Sequence, residues 1–130
     1  MKRHTRSPLA SLPLLADAPD AVLDRLETLM TPVRVPAGQV LVREGARNRQ
    51  FVLVQEGTLR VVRHGAQVAE LGAGDFVGEL SLLGDGTATA TVTTVTDAVV
   101  WVSTAAEFDG VLHSALGTAI EAAAADRRVA

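Results

Sequence analysis

GDFVGELSLLGDGTATATV, running from Gly74 to Val92, is the stretch whose reading decides the fold. Glycines at 72, 74, 78, 84 and 86 surround a short apolar segment, Leu80, Leu82 and Leu83, and one carboxylate, Glu79, stands at its start. That composition describes a tight loop, a turn or two of helix and a second loop, set between two strands. A helix N-terminus ringed by glycines presents unpaired backbone N–H groups and a positive dipole end, where an anion binds without side-chain help. Gly78, in front of Glu79-Leu80-Ser81-Leu82-Leu83, has that form. A carboxylate in contact with a phosphate repels it, so Glu79 is better matched to a neutral hydroxyl pair, as on a ribose. Equally, a glutamate in a first helical turn complements the dipole by about 0.3 to 1 kcal/mol with no ligand at all. The residues alone leave both readings open.

Outward from this stretch the chain is built of short β-branched runs separated by glycine-bearing turns. Val33 to Val35, Val40 to Val42, Phe51 to Gln55, Thr58 to Arg63 and Gln67 to Leu71 precede it, and Thr87 to Thr96 and Ala98 to Val102 follow. Strands of this length at roughly ten-residue spacing argue an antiparallel sandwich or jelly roll rather than βαβ units. His64-Gly65-Ala66 joins two of them as a short hairpin, with the glycine supplying the left-handed residue.

Helices flank the strands. Val22, Leu23, Leu26, Leu29 and Met30 fall at i, i+1, i+4, i+7 and i+8, which predicts an amphipathic helix over about 18–30. Asp17 or Ala18 is expected to cap it, with Pro19 in its first turn and Pro32 as its stop. A second stripe, Val111, Leu112, Ala115, Leu116, Ala119 and Ile120, predicts a C-terminal helix over about 105–127. It reads either as packed on the body or as a lid or dimer helix. The expected organisation is a flexible tail over 1–11 and one domain over 12–130, its β-roll spanning about 33–103.

Composition excludes several classes. The chain of 130 residues is long enough to bury roughly two-thirds of its unfolded surface. It has no cysteine, so disulfides, thiolate zinc sites and cysteine nucleophiles are out. A net charge of -3, with acidic and basic residues spread along the chain and basic clusters only at its ends, argues against nucleic-acid binding. The basic start MKRHTRSPLASLPLLADAP is interrupted by Pro8, Pro13 and Asp17 before it reaches signal-peptide form. No apolar run approaches the ~20 residues of a membrane helix, so no membrane partner and a cytoplasmic location are expected. His4, His64 and His113 are scattered, and no GxSxG elbow occurs. The expectation is no catalytic residue, no metal and no enzyme.

VPAGQVLVREG (35 to 45), FVLVQEGTLRV (51 to 61), VAELGAGDFVGELSLLG (68 to 84) and ATATV (88 to 92), in this order and spacing, resemble a cyclic nucleotide-binding domain. Such domains occur in catabolite-activator proteins, cyclic-nucleotide-dependent kinases and cyclic-nucleotide-gated channels, and the likeness runs from about Leu12 to Leu112. It implies a mainly β fold: an antiparallel jelly roll, or double-stranded β-helix, with an N-terminal helix, a short cassette helix and a C-terminal helix. It also makes Gly78 to Val92 the phosphate-binding cassette, commonly FGELALL-x-x-x-PRAATV. By that resemblance Glu79 takes the ribose 2′-hydroxyl beside Gly78 and Leu80, and the amide of Thr89 meets the cyclic phosphate. The implied ligand set is Gly78, Glu79, Leu80, Ser81, Thr87, Ala88, Thr89 and Ala90, with no cofactor and with cAMP or cGMP as ligand.

Two departures matter. The family's phosphate-pairing arginine falls on Ala88, and no basic residue occurs between Arg63 and Arg127. An arginine fork on a phosphate makes charge-assisted bonds of about 1.5 to 3 kcal/mol, so its loss implies roughly tenfold to hundredfold weaker binding. The second departure is Asn48-Arg49 where the family writes Gly-Asp; asparagine tolerates φ > 0, which keeps that turn possible. The resemblance thus implies a stand-alone regulatory domain, a weak or divergent cAMP/cGMP sensor without its own output domain. Its partners are then an effector protein or a second copy through the C-terminal helix. The alternative is a ligand-free degenerate domain serving as an interaction module.

Overall fold

The computed structural model describes residues 9, 12, 18–48, 50–78, 85–104, 106, 107 and 110. Among the described residues, one helix, α1 (Asp20–Leu29), precedes eight strands: β1 (Thr31–Val35), β2 (Val40–Val42), β3 (Gln50–Glu56), β4 (Leu59–Arg63), β5 (Ala66–Leu71), β6 (Phe76–Val77), β7 (Thr91–Thr94) and β8 (Ala98–Thr104). They form two four-stranded antiparallel sheets, ordered β1-β8-β3-β6 and β2-β7-β4-β5. This interleaving of distant strands is the jelly-roll arrangement of two Greek keys.

Strand β3 shows why the chain takes this form. Phe51, Val52, Leu53 and Val54 are all buried, although a strand with one solvated face alternates. Val52 and Val54 turn into the roll with Val61, Val77, Val92 and Val100. Phe51 and Leu53 turn the other way, onto Leu23, Leu26 and Met30 of the α1 region, together with Phe76 and Trp101. At β3 the first sheet is thus covered on both faces. The Phe51 and Phe76 rings lie 5.7 Å apart and tilted by 36°, a geometry favourable by about 0.5 to 1.5 kcal/mol beyond burial. Leu9 and Leu12 are fully buried in the same cluster, so an apolar residue from the expected tail belongs to the core.

Several local expectations are corrected. Pro19 is the N-cap residue of α1 rather than part of its first turn, and no side chain caps that end. The helix ends before Pro32: Met30 is already extended, and Pro32 lies in edge strand β1. The hairpin loop His64-Gly65 has positive φ at both residues, 52° and 80°, which is the demand of a two-residue type I′ turn. Strand β6, two residues between glycine turns, escapes a period-2 reading altogether.

At the end of β8, Thr104 N–H donates to Glu107 Oε1 at 2.9 Å and Glu107 N–H donates to Thr104 Oγ1 at 3.2 Å. This is a reciprocal capping box, and helical backbone follows at 106 and 107. The remainder of the expected C-terminal helix, like the cassette helix and most of the first 17 residues, lies outside the described residues.

Buried hydroxyls fasten the turns to β7. Thr94 Oγ1 donates to the Pro36 carbonyl at 2.7 Å and accepts from Gln39 N–H at 2.9 Å, holding the turn between β1 and β2. Thr94→Val keeps the shape and removes both bonds. It is expected to lower unfolding free energy by about 1 to 3 kcal/mol, read from the urea midpoint.

Candidate functional site: the cassette and the segment that holds it

The candidate residues divide into two limbs on either side of 79–84. Gly78 ends the first limb, and Thr87, Ala88, Thr89 and Ala90 make the second; Glu79, Leu80 and Ser81 lie outside the described residues. Both limbs are fixed by one piece of chain, residues 44–50.

On the second limb, Asp85 Oδ1 accepts from Thr87 N–H at 2.8 Å, an Asx turn that bends the chain back toward the sheet. A short ladder follows. Asn48 N–H donates to the Gly86 carbonyl at 2.7 Å, Arg47 bridges Thr87, Ala88 N–H donates to Ala46 at 2.9 Å, and Gly45 N–H donates to Ala88 at 2.9 Å. Glu44 N–H then donates to Thr91 Oγ1 at 2.9 Å. Both backbone groups of Ala88 are therefore used on the 45–46 side.

On the first limb, Gly78 sits at φ 100° close against Asn48 and Gln50. A Cβ there would run into the Gln50 carbonyl oxygen and press on Asn48 Nδ2 at 3.1 Å. Asn48 is itself buried, and its Oδ1 accepts from Gln50 N–H at 3.2 Å. The expectation that Asn48 serves as a left-handed turn residue is corrected: His64 is the one non-glycine residue with positive φ among those described. Asn48 works instead through its amide, as a wedge under Gly78. Arg49 lies outside the described residues.

The charge distribution differs from what the sequence led us to expect. Position 88 carries no cation, as the sequence implies, and Ala88 and Ala90 are buried in the interior cluster. Arg63, the last residue of β4, instead reaches the second limb: Nε donates to the Thr89 carbonyl at 3.1 Å, and Nη2 lies 3.5 Å from Thr89 Oγ1. Arg47 stands on the other side, close enough that a Cβ on Gly86 would lie 3.7 Å from its Nη1. Beyond Arg63, the hairpin tip is tied to the same segment by His64 N–H and Nδ1, at 2.9 and 3.1 Å from the Glu44 carboxylate. The sequence reading missed Arg63 because its partner is 26 positions away and set by strand register. No group of three or more potential metal ligands occurs among the described residues. Nor is any described helix long and apolar enough to cross a membrane.

The family model of the cyclic nucleotide-binding domain matches residues 32–115. The chain belongs to that family. Acetyltransferase Pat of Mycolicibacterium smegmatis is 32% identical to it over 109 residues, which are 81% of this chain and 33% of that protein. Among solved structures, cAMP-bound PfPKA-R superposes with a TM-score of 0.82 at 16% identity, covering 93% of this chain and 43% of the other. The regulatory subunit of a cAMP-independent protein kinase A from Trypanosoma brucei gives 0.79 at 24% identity, covering 92% and 43%. These two likenesses show the fold. This cyclic nucleotide-binding domain thus spans about a third of the length of the curated relative and under half of each structural one.

Gly78 is the described site residue where an added Cβ meets backbone. Gly78→Ala combines a strained φ with a clash against backbone, expected to cost about 2 to 5 kcal/mol. The measurement is denaturant unfolding, with amide exchange at residues 45–50 reporting whether the loss is local.

Proposed function

We propose that this chain is a non-enzymatic regulatory domain that binds a cyclic nucleotide, cAMP or cGMP, weakly, and signals through a separate effector or through a second copy. The observation that carries the reading is the anchored backbone of the cassette. Gly78 and residues 86–88 are both fixed to residues 44–50 by hydrogen bonds and close packing, although Ala88 brings no charge. A site whose donors are backbone N–H groups needs its main chain held more than it needs any one side chain. Family membership supports the same reading. Glu79 is assigned the ribose hydroxyl, and Thr89 and its neighbours the cyclic phosphate. The weakness follows from Ala88, whose side chain offers the phosphate nothing.

A second reading, a ligand-free interaction module, is favoured by one observation. Ala88 and Ala90 are 4% and 0% exposed, packed with valines of the roll. A fold-level relative is described as the regulatory subunit of a cAMP-independent protein kinase A, so the architecture by itself does not imply a response to cAMP.

Paired titrations decide between them. The wild type is expected to bind cAMP or cGMP at micromolar to millimolar concentration by calorimetry or NMR shift perturbation. Ala88→Arg is expected to tighten this roughly tenfold to hundredfold. Because position 88 is buried, the variant is also expected to lose about 1 to 3 kcal/mol of stability through overpacking, so titrations run well below its unfolding midpoint. Silence from both proteins at millimolar nucleotide leaves the interaction module standing.

A further inference from the structure

We propose that Arg63, from a strand outside the cassette, supplies the cation that the phosphate of a bound cyclic nucleotide requires. This rests on the cyclic-nucleotide reading above and names the side chain that completes its site.

Three observations carry it. Arg63 is already docked on the candidate phosphate limb, with Nε 3.1 Å from the Thr89 carbonyl and Nη2 3.5 Å from its hydroxyl. That docking aims the guanidinium, which is otherwise costly to order on a long side chain. Next, Ala88 turns both its backbone groups to residues 45 and 46, while the Thr89 carbonyl turns to Arg63. The two sides of the limb thus have separate tasks: one is anchored to the body, and the other carries a cation. Finally, the root of Arg63 is fixed on both sides. It pairs with Ala66 across the hairpin, and the next residue, His64, is held by the Glu44 carboxylate through N–H and Nδ1. A guanidinium has five N–H donors in a planar fork, which suits contact with Thr89 and a phosphate oxygen together.

Arg47 is the competing source of charge, near Gly86 and Thr87. It is exposed and bridges Thr87 through its backbone, and its guanidinium lies beside Gly86, at the far side of the limb from the Thr89 carbonyl that Arg63 holds. It therefore serves as the control for a general electrostatic field.

The test is NMR titration of wild type, Arg63→Ala and Arg47→Ala with cAMP, cGMP and adenosine, which lacks the phosphate. Arg63→Ala is expected to weaken cyclic-nucleotide binding roughly tenfold or more while leaving adenosine unchanged, and Arg47→Ala to change either less than about threefold. Should Arg63→Ala fail to fold, as judged by its amide spectrum, Arg63→Gln carries the same comparison. Wild-type binding that survives loss of Arg63 overturns the assignment and leaves the proposed function intact. Equal losses from both arginines overturn it in favour of a diffuse field. An absence of any wild-type response overturns the function and the assignment together.

Discussion

The ladder between residues 45–48 and 86–88 is the constraint on which this molecule's working parts depend. It joins segments far apart in the chain; Glu44 and Thr91, at its end, are 47 positions apart. Each of its bonds contributes about 0.5 to 1.5 kcal/mol net, and β2 and β7 pair beside it. Beyond those strands the same pairing continues without regular sheet. The second limb of the cassette is therefore an extension of the jelly roll, and its backbone inherits the order of the strands beneath it.

One consequence is that residues 44–50 act on three features at once. They hold the second limb through main-chain bonds, they receive Gly78 against Asn48 and Gln50, and through Glu44 they fasten the β4–β5 hairpin tip. A cassette tied at both ends to one segment has fixed end points whatever its middle does. That is a sound scaffold for backbone N–H groups that must meet an anion without reorganising, since preorganised donors bind with less entropy lost on contact. The glycine at 78 is required by this closeness as well as by its φ.

How much of this was legible in the sequence depended on the range of the interaction. The strands declared themselves through β-branched runs and glycine turns, and the His64-Gly65 hairpin through its turn chemistry, because these signals are local. The capping box is equally local, spelled by Thr104-Ala105-Ala106-Glu107, yet it went unread. Strand β6 was hidden because two residues carry no periodicity. Asn48 was misread because its identity suggested backbone conformation, whereas its role comes from a neighbour 30 positions on. Arg63 was passed over for a related reason. The cassette's own sequence holds no cation, whereas Arg63 reaches Thr89 from the strand beside it.

The proposed exchange of a cation at position 88 for one at the end of β4 changes the physics of the site as well as its address. A guanidinium projecting from position 88 would start inside the valine cluster, where the local dielectric is low and a charge left without its partner is costly. Alanine removes that cost and lets the limb pack against the roll whether or not a ligand is present. Arg63 stands nearer solvent, half-buried at a strand end, where it is stable without an anion because Thr89 already accepts from it. The same exposure weakens and screens its attraction for a phosphate. A site built this way trades affinity for a binding limb that stays folded when empty. The buried alanines and the docked arginine are then two halves of one arrangement, in which the charge has moved from the core to the rim.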